Sequence, residues 1–151
     1  MSLSIRSLRA ALLGALFAAA TSAVFAAETP ATLGGATLVG ADKVKEMMAK
    51  GTPVVDTRVA TEYAEAHIKG AASVPYKEKS AKDAGFDASA DSFDLAKLPA
   101  DKAAPIIFYC NAGECWKSYK ASVVAMKAGY KKVHWFRGGI PEWKAKGFPI
   151  E

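Results

Sequence analysis

The stretch 105-PIIFYCNAGECWKSYKASVVAMKAGYKKVHWF-136 decides the fold. Pro105 to Tyr109 is a short, continuous apolar run, as expected of a parallel strand buried on both faces. Trp116 to Ala128 reads as a helix, and Gly129 supplies its C-terminal stop. Lys132 to Phe136 reads as a second strand. Both cysteines of the chain, Cys110 and Cys115, lie in the connection between the first strand and the helix.

The same alternation continues outward. Toward the N-terminus, Thr37 to Val39 is a brief strand, and Asp42 is placed to cap a helix from Lys43 to Lys50, with Val44, Met47 and Met48 on one face and Gly51 ending it. Pro53 to Asp56 is a short β-branched strand, Val59 to Ala66 a helical stretch, and Ala71 to Val74 a third strand. Toward the C-terminus, Gly138-Gly139 is a tight turn and Ile140 to Lys146 a last short helix. The segment 77–104 is the least regular; a structureless connection of that length is uncommon, so one or two short helices are expected within it. Alternating strands and helices predict an α/β layer sandwich around a mainly parallel sheet, with functional groups at the C-terminal ends of strands. Cys110 stands at such an end.

The N-terminus carries a different signal. Arg6 and Arg9 precede an uncharged run from Ala10 to Phe25, and small residues around Ala26 lead into polar Glu28-Thr29-Pro30. This is the pattern of a secretory signal peptide with cleavage near Ala26. The run is short for a membrane span, and no cysteine marks a lipid attachment site. The expected organisation is a signal peptide over 1–26, a linker over 27–36 and one domain over 37–151, secreted through the inner membrane and periplasmic in a Gram-negative cell, with no membrane association after cleavage. Arg6 and Arg9 belong to the removed segment, so the 20 basic and 15 acidic residues of the whole chain leave only a mild basic excess. No dense basic patch interleaved with aromatics is present, which argues against nucleic acid as a partner.

Two cysteines in an exported chain invite the reading of a structural disulfide. A bridge between Cys110 and Cys115 would close a very small loop and remove little unfolded-chain entropy, so the pair is better read as chemical than architectural. At the strand end, Cys110 would face the unpaired N–H groups and positive dipole of the helix beginning near Trp116, which lowers a thiol pKa and stabilises a thiolate or persulfide. Gly113 would provide the left-handed residue of the sharp turn. Lys117 and Lys120 would add positive charge, and Glu114 would oppose them. No metal or cofactor is expected: the spacing of Cys110 and Cys115 would tolerate zinc, but the remaining ligands would have to be His67 and His134, which lack any motif spacing.

These residues resemble the rhodanese-like sulfurtransferases. The likeness covers essentially the whole mature chain: "VVDTR" (54–58) with "EYAEAHIKGAASVPY" (62–76), "IIFYCNAG" (106–113), and "VHWFRGGIPEWKAKGFPI" (133–150). The resemblance implies a three-layer sandwich with a central, mainly parallel sheet of about five strands flanked by helices. It also implies that Cys110 takes a sulfane sulfur from a small sulfur-containing anion or persulfide donor and passes it to a thiol acceptor. Asn111, Ala112, Gly113, Glu114, Trp116 and Lys117 would form the substrate-binding loop, with Arg137 at the same edge of the sheet. Asp56 with Arg58, and His67, are read as structural.

The loop departs from the family pattern of Cys, four residues, then Arg-Ser or Arg-Thr. Either Cys115-Trp116 replaces Arg-Ser without a gap, or the loop is two residues longer, Lys117-Ser118 stands for Arg-Ser and Cys115-Trp116 is an insertion at the pocket rim. The second matches at both ends. In both alignments the guanidinium fork is missing, and a lysine cannot replace its bidentate oxyanion contact, so polysulfides or small persulfides become plausible donors beside thiosulfate. Cys115 would attack the Cys110 persulfide, release sulfide and leave a disulfide for a periplasmic redox partner to reduce. Two other functions compete: a thiol–disulfide oxidoreductase using Cys110 and Cys115 directly, although dedicated dithiol motifs usually leave two residues between the cysteines, and a non-catalytic binding module, against which the retained Cys110 counts.

Overall fold

A computed structural model describes residues 27–151, so the expected signal peptide lies outside the described residues. Five strands and four helices alternate: β1 (Thr37–Leu38), α1 (Ala41–Ala49), β2 (Val54–Asp56), α2 (Ala60–Glu65), β3 (Ala72–Ser73), β4 (Pro105–Tyr109), α3 (Trp116–Lys127), β5 (Lys132–Phe136) and α4 (Gly139–Ala145). The strands form one sheet in the order β1-β5-β4-β2-β3, and every pairing is parallel. The α/β sandwich around a parallel five-stranded sheet expected from the sequence is thus observed.

Register positions the site. Tyr109 of β4 pairs with Asp56 of β2 on one side and Phe136 of β5 on the other. Three strands therefore end level, and the residues that follow them, Thr57, Cys110 and Arg137, emerge at one edge. Period-two alternation splits the apolar residues between two cores. Val54, Ile107, Tyr109 and Phe136 pack with Val44 and Met47 of α1 and Ile140 and Trp143 of α4. Val55, Ile106, Phe108 and Val133 pack with Ala121 and Ala125 of α3.

The start of α1 corrects one expectation. The helix begins at Ala41, Gly40 stands at its N-cap, and no side chain of its own caps it. The Ala41 N–H instead donates to Glu142 Oε1 of α4 at 2.7 Å, while Asp42, within the first turn, accepts from Lys146 Nζ at 2.6 Å. Packing of α4 against α1 brings a distant carboxylate to the orphan donor, which a local reading of the sequence does not reveal.

The segment 77–104 carries two single 3₁₀ turns, Ala88–Ala90 and Leu95–Lys97, capped by Asp87 and Asp94. It is fastened to α3 by a buried cation. Lys120 Nζ lies 2.7 Å from Glu78 Oε2 and donates to Ser80 Oγ at 2.8 Å; Asp91 stands behind, accepting from the Tyr76 hydroxyl at 2.7 Å. The contact with Glu78 is one of charge, since that carboxylate oxygen has no well-directed hydrogen bond. Among the described residues no helix is long and apolar enough to cross a membrane.

Candidate active site

β4 delivers Cys110 to the sheet edge, where it is only 1% exposed. Residues 111–114 form the loop, and Cys115 is the N-cap of α3. The Cα atoms of the two cysteines lie 6.2 Å apart, and their sulfurs are joined in a disulfide. Cys110 Sγ also lies 3.1 Å from Ser118 Oγ and 3.2 Å from the Cys115 carbonyl oxygen. Ser118 Oγ is in turn an acceptor for the Trp135 indole N–H at 3.0 Å. With its lone pair held by the indole, the Ser118 hydroxyl proton is free to point at the sulfur. Of the two alignments, this geometry matches the longer loop, in which Ser118 occupies the family serine position.

The cradle has three supports. First, α3 is 12 residues long and its N-cap side chain makes no capping bond, so its first N–H groups and the positive end of its dipole face the cysteine loop. Second, the Asn111 amide donates to Glu62 of α2, tying the loop to the β2 side of the sheet. Third, the turn after β5 presses against the loop from below. The Ile140 N–H donates to the Cys110 carbonyl at 3.0 Å. Gly139 has φ +58°, and a Cβ there would sit 2.1 Å from that same carbonyl oxygen. Glycine is required at this position both for its backbone angle and for the approach.

Several expected site residues are placed differently. The left-handed residue of the loop is Ala112 (φ 45°), not Gly113. Gly113 instead makes room for a side chain: a Cβ on it would fall 2.8 Å from the Arg137 guanidinium, which would have to move aside. Trp116, expected at the pocket rim, is buried against Leu33, Tyr119 and Trp135, because the N-terminal segment covers it. Lys120 is absent from the site, its charge engaged by Glu78. Glu114 is exposed. Lys117 lines a cavity of 380 Å³ bounded by Val59, Ala60 and Pro75 to Glu78. Arg137 stands at the predicted edge, but its Nε donates to Thr29 Oγ1 at 3.1 Å and its Nη2 to the Thr29 carbonyl at 2.9 Å.

Asp56 and Arg58 form a buried bidentate pair; Arg58 also donates to the Ala66 carbonyl at 2.7 Å, and Asp56 accepts from the Tyr109 hydroxyl at 2.6 Å. Burial works against the Arg58 charge, but Asp56 outweighs it and holds the guanidinium more firmly protonated than usual. His67 stacks on Tyr63 with ring centroids 3.7 Å apart. Both sets serve the scaffold, as expected. Sequence reasoning missed Thr29, Glu62 and Trp135. Thr29 and Glu62 reach the loop, and Trp135 the first turn of α3, from remote parts of the chain, and only Gly138-Gly139, read as a tight turn, pointed toward the contact made by Gly139.

A family model described as the rhodanese-like domain matches residues 40–146. A sulfurtransferase from Allochromatium vinosum is 36% identical over 56 residues, 37% of this chain and 49% of that protein, so the chain matches about half the length of that relative. Thiosulfate sulfurtransferase 16, chloroplastic, from Arabidopsis thaliana is 27% identical over 106 residues, covering 70% of this chain and 85% of that one. Among solved structures, the BH2092 protein from Bacillus halodurans superposes with a TM-score of 0.58 at 25% identity, over 77% of either chain. The Alr3790 protein from Anabaena sp. does so with a TM-score of 0.56 at 24% identity, over 75% of this chain and 79% of that one.

Proposed function

The chain belongs to the rhodanese-like domain family, and on that footing we propose that it is an exported sulfurtransferase with Cys110 as the sulfur-carrying nucleophile. The observation that carries this reading is the position of Cys110 between the end of β4, the Ser118 hydroxyl and the N-terminus of α3. Reduced Cys110 attacks the outer sulfur of a donor. With thiosulfate, Cys–S⁻ displaces sulfite and becomes Cys–S–S⁻; a polysulfide or persulfide donor leaves one sulfur shorter. An acceptor thiolate RS⁻ then takes the outer sulfur as R–S–S⁻ and regenerates the Cys110 thiolate. Ser118 and the first N–H groups of α3 stabilise the anion at each stage. The missing arginine disfavours thiosulfate relative to polysulfides and small persulfides.

Cys115 supplies a second exit. Its thiol attacks Cys110 Sγ of the persulfide; the bond to the outer sulfur breaks, HS⁻ leaves, and the Cys110–Cys115 disulfide forms, the dithiol being oxidised by two electrons as the sulfane sulfur is reduced. The disulfide returns to the dithiol by exchange with an external thiol. Cys115 is the less buried sulfur, so the reductant attacks there and Cys110 is the leaving thiolate. The disulfide also supports a second reading, a thiol–disulfide oxidoreductase that never carries sulfur.

Intact mass separates the two. Reduced protein is incubated with thiosulfate or polysulfide. Sulfur transfer predicts a gain of about 32 Da on Cys110, retained in Cys115→Ser where the internal exit is closed, that cyanide or excess thiol removes. Loss of two hydrogens with no sulfur gained, from the parent and with no gain in Cys115→Ser either, would establish the oxidoreductase instead.

A further inference from the structure

The segment Ala27–Thr29 lies outside the part of the chain that the family model matches, residues 40–146, yet it is bonded to the cysteine loop. Thr29 is 3% exposed. Its backbone N–H donates to the Gly113 carbonyl at 2.8 Å, and its hydroxyl donates to the same oxygen at 2.7 Å. The same hydroxyl accepts from Arg137 Nε at 3.1 Å, and the Thr29 carbonyl accepts from Arg137 Nη2 at 2.9 Å. Trp116, directly after Cys115, donates its indole N–H to the Ala27 carbonyl at 2.7 Å. Two residues of the N-terminal segment thus hold the loop at Gly113 (Thr29) and α3 at its first residue (Ala27), just outside the two sulfurs.

We propose that Thr29 is a positioning residue for the cysteine pair: with Arg137 and Trp116 it straps the loop in the conformation that keeps Cys110 and Cys115 within bonding reach. The loop has a non-glycine residue, Ala112, in the left-handed region, a conformation that surrounding contacts must hold in place. The strap provides such contacts, and Gly113 lacks a side chain so that the guanidinium can close over it. Relaxing the strap lets the loop open. That separates the sulfurs, lowers their effective concentration and moves the dithiol–disulfide equilibrium toward the dithiol. This deepens the reading of Cys110 and Cys115 given above, but it is tested on the thiol–disulfide equilibrium alone, so either can fail without the other.

The parent, Thr29→Val, Thr29→Ser and Trp116→Phe are equilibrated in buffers of reduced and oxidised glutathione, acid-quenched and scored for free thiols by alkylation and mass. In this balance one protein disulfide and two glutathione thiols exchange with one protein dithiol and one glutathione disulfide. Loss of the hydroxyl's two hydrogen bonds, to the Gly113 carbonyl and from Arg137 Nε, predicts a shift of at least about 3- to 10-fold toward the dithiol for Thr29→Val. Thr29→Ser, which keeps the hydroxyl, stays with the parent. Trp116→Phe, which keeps an aromatic ring but loses the indole N–H bonded to Ala27, shifts the same way. Should Thr29→Val fail to fold, Trp116→Phe carries the test. Folded variants with the parent's equilibrium, or equal shifts in Thr29→Val and Thr29→Ser, would overturn the proposal.

Discussion

At Cys110 and its immediate neighbours, small changes have separable consequences. Cys110→Ser removes the nucleophile and is expected to abolish sulfur uptake by mass. Cys115→Ser keeps the acceptor of sulfur but removes the internal exit: persulfide on Cys110 accumulates, and sulfide release without added thiol falls to background. Parent-like sulfide release from Cys115→Ser would disprove the second step. Gly139→Ala tests the packing below the loop. A left-handed alanine costs roughly 1–2 kcal/mol by itself, and its Cβ would meet the Cys110 carbonyl oxygen. The backbone of the loop must shift, so both the denaturation midpoint and sulfur uptake should fall. A variant with parent activity and stability would show that the turn tolerates a side chain.

At the scale of elements, the Lys120 network decides whether the segment 77–104 stays on α3. Lys120 is fully buried, and its partners Glu78 and Asp91 are nearly so. Lys120→Ala leaves the Glu78 carboxylate buried without its cation, while Asp91 keeps its hydrogen bonds, and should destabilise the protein by about 3–5 kcal/mol. Hydrogen exchange would then quicken first at Lys77 and Ser92, whose backbone groups bond to one another, while β4 and β5 lose only global protection. Lys120→Met also loses the charge but keeps most of the volume, so the extra loss in Lys120→Ala measures packing. Uniform loosening of all five strands would show that this segment is not a separate unit. Because the 380 Å³ cavity beside Lys117 is walled by Lys77 and Glu78, loosening also reshapes that cavity.

Over the whole molecule, three buried ionisable groups predict the limits of stability in pH. Burial works against the Asp91 charge, but hydrogen bonds from Ser80, Lys79 and Tyr76 outweigh it and hold the carboxyl well below its usual range. Its contribution is complete above the unfolded value of about 4 and is lost as pH falls below that. Burial first, and a neighbouring carboxylate second, push the Tyr76 and Tyr109 hydroxyls far above the ordinary phenol value. Their contribution is complete below the unfolded value of about 10 and is lost as pH rises past it. Denaturation midpoints should therefore be level between about pH 5 and 9 and fall on either side, with Tyr76→Phe easing the alkaline fall. An alkaline limb unchanged in Tyr76→Phe would remove that tyrosine from the account. The proposal of export is checked on the same scale: the full chain expressed in a Gram-negative host should yield a soluble periplasmic product whose mass begins at Ala27.

What the sequence determined by itself was carried by local and periodic signals. Apolar β-branched runs, a helix between them and the glycine stops revealed five strands and four helices in order, and β4 and β5 fall on the predicted residues. Strand end followed by helix start was enough to place Cys110. Tertiary structure alone decided the rest, because the groups concerned meet across long chain separations. Glu142 caps α1 from the far end of the chain, Trp135 holds Ser118, Lys120 is drawn into a core by Glu78, and Thr29 reaches Gly113 across 84 residues. Periodicity shows which face a side chain takes. Which distant polar group meets it there depends on strand order and register, and these exist only once the sheet has formed.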